Sequence, residues 1–153
     1  MSGTITIRPY TQEDQTALIL LLRLNTPEYF ATSEEEDFLY YLNNHAANHY
    51  VLEVDGQILG CGGFNFSDDL TVGKISWDIL HPHHQEKGLG RRLTLYRIEK
   101  MREVPSVCTI SVRTSQLVYK FYEKLGFELK ETAKDYWAAG FDMYRMEQPV
   151  LVN

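Results

Sequence analysis

The residues from Ile79 to Leu93, Ile79-Leu80-His81-Pro82-His83-His84-Gln85-Glu86-Lys87-Gly88-Leu89-Gly90-Arg91-Arg92-Leu93, combine types and spacing that can bind an anion. An apolar run stops at Pro82, a polar loop follows, and a helical pattern opens at Gly90. Gly88 and Gly90 lack a Cβ, so this loop can turn several backbone N–H groups toward one point. A helix start beside them adds unpaired donors and partial positive charge. Lys87, Arg91 and Arg92 crowd that start, where the macrodipole disfavours cations, and an anion among them relieves the conflict. The expected guest is a pyrophosphate; the plain alternative is an ordinary surface turn. A dinucleotide-binding loop would need a third glycine near position 93, where Leu93 stands, and a P-loop would need a terminal Gly-Lys-Ser/Thr, which is absent.

Asp78 lies on the strand entering this loop. Strand alternation gives it the same face as Ser76 and Leu80, opposite Trp77 and Ile79. A carboxylate between apolar neighbours is a candidate base; the competing reading is a solvated strand-face carboxylate. His81, His83 and His84 have no fourth ligand at fitting spacing, so no structural zinc is expected. Further along, Leu117, Val118, Phe121, Tyr122 and Leu125 fall at helical spacing, and Gly126 suits the residue just past a helix end. On structure alone Tyr122 is a core-facing aromatic with a polar tip.

The elements that must position these residues follow from periodicity. Thr4 to Arg8 alternates as a strand. Thr11 can cap a helix carrying Ala17, Leu18, Leu21 and Leu22, which Asn25-Thr26-Pro27 ends. Ser33-Glu34-Glu35-Glu36 reads as a capping box for a second helix through Phe38, Leu39, Leu42 and Ala46. Tyr50 to Val54, Asp55-Gly56 and Gln57 to Phe66 form a hairpin with a two-residue turn. After a turn at Ser67-Asp68-Asp69, Val72 to Leu80 is the strand feeding the glycine loop. The helix from Gly90 runs to about Arg102 and stops at Val104-Pro105, and Val107 to Val112 is a strand. Strand, helix, strand implies a right-handed crossover between parallel strands. Lys134 to Met146 reads as strand, turn and strand.

The 153 residues suit one domain, residues 1–153, with no internal repeats or linkers. The longest apolar run, Ala17 to Leu22, spans six residues, far short of the roughly 20 that cross a membrane. No secretory signal is visible at the N-terminus, and Cys61 and Cys108 read as reduced thiols, together implying a cytoplasmic protein. A net charge of −6 argues against nucleic acid and suits a cationic substrate.

The ordered setting of strand, Pro82, Gln85-x-x-Gly88-x-Gly90 and helix resembles the acyl-CoA-binding segment of GNAT-type N-acetyltransferases. The stretch Ser115 to Phe127 is similar to that superfamily's N-x-x-A-x-x-x-Y-x-x-x-G-F element, with Tyr122 at the tyrosine. Ser115 stands where the family commonly has asparagine, and Val118 where it has alanine. The resemblance covers about residues 4 to 148. It implies an α/β (mixed α+β) fold: a central mixed, mostly antiparallel sheet of about seven strands, splayed between strands 4 and 5 and flanked by about four helices. It implies acetyl-CoA as acyl donor, held by Ile79, Leu80, Pro82, Gln85, Glu86, Lys87, Gly88, Leu89, Gly90, Arg91, Arg92, Ser115, Tyr119 and Tyr122. Tyr122 is then the general acid for the leaving thiolate, and main-chain N–H groups after Leu80 polarise the carbonyl.

Asp78 is the candidate base. N-terminal protein acetyltransferases often carry a glutamate on the next strand, where this chain has Ser111. The segment Lys134 to Met146 resembles the tyrosine-bearing hairpin of ribosomal-protein and other N-terminal acetyltransferases. Tyr136 and Tyr144 are the matching positions, with Glu28 and Tyr29 on the opposite wall and Asp78 also facing the acceptor; aromatic-rich strands arise from β-propensity as well. The expected function is direct transfer of acetyl from acetyl-CoA to a primary amine, on a peptide or on a small molecule such as an amino acid, polyamine or aminoglycoside. A non-catalytic acyl-CoA sensor and a nucleotide-phosphate binder are the alternatives. Neither metal, nucleic acid nor membrane is an expected partner, and a homodimer is left open.

Overall fold

The computed structural model describes residues 3–150, apart from the side chains of Gln85, Glu86 and Lys87. The described residues form strands β1 (Ile5–Pro9), β2 (His49–Val54), β3 (Gln57–Phe66), β4 (Val72–Leu80), β5 (Thr109–Thr114), β6 (Glu128–Ala138) and β7 (Phe141–Pro149). The helices are α1 (Gln15–Leu24), α2 (Glu34–Asn44), α3 (Leu89–Arg102) and α4 (Tyr119–Lys124). One seven-stranded sheet runs in the order β1-β2-β3-β4-β5-β7-β6. β4 and β5 are parallel, whereas β1–β2, β2–β3, β5–β7 and β6–β7 are antiparallel. This is the expected mixed, mostly antiparallel sheet with four helices. The chain divides into two compact units, residues 1–63 with 77–95 and residues 64–76 with 96–153.

In the first unit, the period of two along a strand sorts consecutive residues onto opposite faces. Val51 joins Leu18, Leu21, Leu22, Phe38, Tyr41, Leu42, Cys61 and Ile79, while Leu52 joins Leu59, Leu89 and Leu93. Helices α1 and α2 therefore cover one face and the start of α3 the other. Leu18, Leu22 and Phe38 are fully buried, each contributing about 1.5–3 kcal/mol of transfer free energy. The helix starts differ from the expected ones. Thr11 opens a 3-10 turn, Gln12–Asp14, ahead of α1. The Asp14 carboxylate accepts from the Thr11 N–H at 2.9 Å and from both Arg8 terminal nitrogens at 2.8 Å. The capping box expected at Ser33 does not form, because Ser33 is itself in helical geometry (φ −66°, ψ −16°). Glu34 instead accepts from the Ala31 N–H at 2.7 Å, closing the same turn from one residue further in. The β2–β3 turn is as expected, with Asp55 and Gly56 at φ 51° and 83° and Val54 opposite Gln57.

In the second unit, β4 pairs with β5 over Val72–Ile75 and Thr109–Val112. β5 begins at Thr109 rather than Val107, which is buried just ahead of the strand. β6 is the sheet edge and is exposed along most of its length. Its ladder with β7 shifts register between Leu129 and Glu131 and between Ala133 and Ala138. Helix α4 packs against β7.

Candidate active site

After Leu80 the chain enters a 3-10 turn, Pro82–Lys87. His81 caps it, accepting at Nδ1 from the His83 N–H at 3.2 Å, while its own N–H donates to the Leu59 carbonyl at 2.8 Å. Burial, then the neighbouring His84 and His83, lower the pKa of His81. Gly88 ends the turn at φ 73°, a left-handed backbone that other residues adopt only with strain. Helix α3 starts at Leu89, one residue before the position the pattern indicates. The Arg92 N–H donates to the Gly88 carbonyl at 3.1 Å. The amides of Leu89, Gly90 and Arg91 precede that bond, where a helix has no carbonyl of its own to offer. Arg91 and Arg92 are exposed beside them.

Two of the residues expected to hold the donor have their side chains in the core. The side chains of Ile79 and Leu89 are core, 1% and 4% exposed, so these residues can meet a cofactor only through their backbone. Leu80 packs with the Leu52 cluster. Pro82 opens the 3-10 turn and is half-buried. The expected contacts from the side chains of Gln85, Glu86 and Lys87 lie outside the described residues.

Trp77, within β4, has φ 53°, a costly backbone for a bulky residue. Packing holds it there: its ring lies 4.8 Å from Phe38, 6.1 Å from Tyr41 and 6.3 Å from Phe30. Asp78 follows directly and is half-buried. Trp77 and Ile79 pack in one cluster and Leu80 in the opposite one, so the alternation around Asp78 holds in spite of the irregular backbone.

On the expected acceptor wall, Glu28 is exposed and Tyr29 half-buried. Burial, then the charge of Glu28, raises the pKa of Tyr29. The Tyr29 and Phe30 N–H groups both donate to the Asn25 carbonyl, at 2.9 and 3.2 Å. Asn25 is buried, and its Nδ2 donates to the carbonyls of Leu21 and Leu80, both at 2.9 Å. Sequence reasoning took Asn25 only as part of a helix stop; the structure makes it the tie between the Pro27–Phe30 stretch and the end of β4. An amide residue at a helix end just ahead of a proline was the available signal.

In the second unit, Tyr122 is 2% exposed. The Gly126-Phe127 pair after α4 holds it by a helix-end motif. Gly126, at φ 95°, donates its N–H to the Glu123 carbonyl at 3.1 Å, and the Phe127 N–H donates to the Tyr122 carbonyl at 3.1 Å. The Phe127 ring then meets Tyr122 edge-on at 5.7 Å. Helix α4 is shorter than the helical spacing implies: it starts at Tyr119, and Leu117 is exposed. Ser115 caps the turn before it, its Oγ accepting from the Leu117 N–H at 3.2 Å and its carbonyl from the Val118 and Tyr119 N–H groups. Tyr119 and Tyr144 are brought together, with ring centroids 4.8 Å apart. Tyr136 is half exposed on the edge strand and packs against Trp137 at 4.9 Å. Ser111 pairs with Lys74 and Glu147 in the ladder, and Glu147 is ion-paired with Arg145.

Residues 16–127 match the model of the acetyltransferase (GNAT) family. The N-alpha-acetyltransferase of Sulfurisphaera tokodaii is 30% identical over 156 residues, covering 92% of this chain and 89% of that protein. Amino-acid acetyltransferases of two Neisseria meningitidis strains are 30% identical over 109 residues, 65% of this chain. The matched segment spans 24% of the length of those Neisseria proteins. The fold is similar to that of N-acetylglutamate synthase from Neisseria gonorrhoeae, solved with coenzyme A and N-acetyl-glutamate. That match has a TM-score of 0.76 and 20% identity, covering 99% of this chain and 36% of that one. With most of its length matched by one family model and a relative aligned almost end to end, the chain belongs to the acetyltransferase (GNAT) family.

Proposed function

We propose that the chain is an N-acetyltransferase that moves the acetyl group of acetyl-CoA to a primary amine by direct attack, with a peptide or protein amine as acceptor. The start of α3 carries this reading. Three backbone amides at the positive end of a 14-residue helix, flanked by exposed Arg91 and Arg92, suit a pyrophosphate. When bound, acetyl-CoA supplies an activated thioester carbonyl. In the transfer the amine nitrogen bonds to the carbonyl carbon and the carbon–sulfur bond breaks. Asp78 takes the amine proton, directly or through water, and the Tyr122 hydroxyl gives a proton to the departing sulfur. A phenolic O–H can supply that proton as the charge on the sulfur develops. Ser115 and Tyr119 are assigned to the cofactor; Glu28, Tyr29, Tyr136 and Tyr144 are assigned to the acceptor. The protein acts as one catalytic domain over residues 1–153 in the cytoplasm, without a metal.

The Sulfurisphaera relative supports a peptide amine, because its match runs nearly end to end. The Neisseria relatives, named for amino-acid acetylation, favour a small amine as the second reading. Free-thiol release from acetyl-CoA, measured with free-N-terminal peptides, N-blocked lysine peptides and small amines, tests both. Release with free-N-terminal peptides is the expected result. Release with amino acids alone would replace the peptide reading, and acetyl-CoA binding with no release in any panel would point to a sensor.

A further inference from the structure

The tip of the β6–β7 hairpin is tied to the turn between β5 and α4 by side chains that the proposed transfer does not use. Gln116 donates from Nε2 to the Gly140 carbonyl at 2.7 Å and accepts at Oε1 from the Asp142 N–H at 2.9 Å. Both ends of one side-chain amide thus bond the hairpin backbone, as a neighbouring strand would. The ladder between β5 and β7 extends to Thr114 opposite Tyr144. Beyond that pair Gln116 continues the hydrogen bonding, and the Trp137 indole N–H donates to the Thr114 carbonyl at 3.2 Å. The tip is also braced from within: Asp142 accepts at Oδ1 from the Asp135 N–H at 2.9 Å, and Asp135 accepts at Oδ1 from the Gly140 N–H at 2.8 Å.

The two sides of this clasp have different assignments. Ser115 and Tyr119, on the turn and α4, are assigned to acetyl-CoA, while Tyr136 and Tyr144, on the hairpin, are assigned to the acceptor. Gln116 lies on the turn and reaches the hairpin. We propose that Gln116 is a positioning residue, fixing the acceptor hairpin on the donor-side turn and so setting the affinity for acceptor without touching either substrate. This rests on the assignment of the hairpin to the acceptor made above.

The test compares the full chain with Gln116→Ala and Gln116→Glu. The readouts are steady-state kinetics with a tetrapeptide bearing a free N-terminal amine, equilibrium binding of acetyl-CoA, and hydrogen exchange at the Asp142 amide. Gln116→Ala removes both bonds and is expected to raise KM for the tetrapeptide about tenfold, leave acetyl-CoA binding within about twofold, and speed exchange at Asp142. Gln116→Glu keeps an acceptor for the Asp142 N–H but turns a second oxygen toward the Gly140 carbonyl, so it should retain more Asp142 protection than Gln116→Ala while still raising KM. A KM unchanged in Gln116→Ala overturns the proposal, as does an equal loss of acetyl-CoA affinity, which would mean general loosening. If the unaltered chain binds acetyl-CoA but acetylates no tetrapeptide, the acceptor reading fails by itself. The clasp is then judged on a small amine that releases thiol from acetyl-CoA, where an unchanged KM in Gln116→Ala overturns it and a raised KM with acetyl-CoA binding kept within about twofold retains it.

Discussion

Replacing Gly63 by alanine tests the aromatic packing that holds Trp77 beside Asp78. A Cβ at position 63 would lie 2.2 Å from the Tyr41 hydroxyl, 2.7 Å from His49 Nδ1 and 3.0 Å from the Asn48 carbonyl. Ordinary contact requires the hydroxyl to withdraw by about 1 Å. Tyr41 has little room: it is 7% exposed, and its ring lies 6.3 Å from Phe38 and 5.3 Å from His49. Withdrawal breaks the 3.0 Å hydrogen bond between Tyr41 and His49, which is itself 1% exposed. Loss of a buried hydrogen bond costs about 1–3 kcal/mol and overpacking another 1–3 kcal/mol, offset by up to about 1 kcal/mol from replacing a strand glycine. The expected net loss is about 1–6 kcal/mol, read as a lower denaturation midpoint with unchanged slope in urea. In a Tyr41→Phe background the nearest obstruction and the hydrogen bond are gone while His49 Nδ1 remains at 2.7 Å, so the same substitution should cost less by about 1–3 kcal/mol, the share of the hydrogen bond. A cost below about 0.5 kcal/mol in the native background, or an undiminished cost in Tyr41→Phe, would refute the reasoning.

Three further outcomes are expected. Tyr122→Phe should lower kcat by about 10²–10⁴-fold while acetyl-CoA affinity stays within about twofold; an unchanged kcat removes its acid role. Asp78→Asn should lower kcat/KM and alter the pH–rate profile, and if the profile is unmoved the base lies elsewhere. Arg8 holds the Asp14 carboxyl down from 3.8 to about 2 by its hydrogen bonds. Unfolded chains therefore bind more protons there than folded ones between those values, so the pair's contribution is complete above pH 3.8 and disappears as pH falls toward about 2. With Arg8 32% exposed, screening reduces that contribution to about 1–2 kcal/mol. Asp14→Asn should lose this amount at pH 7 and match the unaltered chain near pH 2 in urea denaturation; a constant gap across that range would contradict the linkage.

Much of the fold was legible because it rests on short-range rules. The period of two in β2 and the Asp55-Gly56 turn specify a hairpin without reference to the rest of the chain. The spacing of Leu18, Leu21 and Leu22 does the same for the buried face of α1. The turn at Gly88 and the helix start beside it were legible for the same reason, since a left-handed glycine and a helix start are local features. Tyr122 was legible through its neighbours, because the Gly126-Phe127 pair that closes α4 is a local capping motif. Where the reading failed, a distant or competing group intervened. Ser33 lost its capping role to Glu34, whose longer side chain reached the Ala31 N–H.

The strand and helix order, the turn at Gly88 and the place of Tyr122 near the end of a helix were already present in the sequence, all set by interactions across a few residues. Tertiary structure decided that Trp77 takes a left-handed backbone, that Asn25 holds the Leu80 carbonyl, and that Gln116 spans to Gly140 and Asp142. Each of these depends on groups from separate elements meeting at hydrogen-bond or ring-contact distance, which only the folded chain brings together.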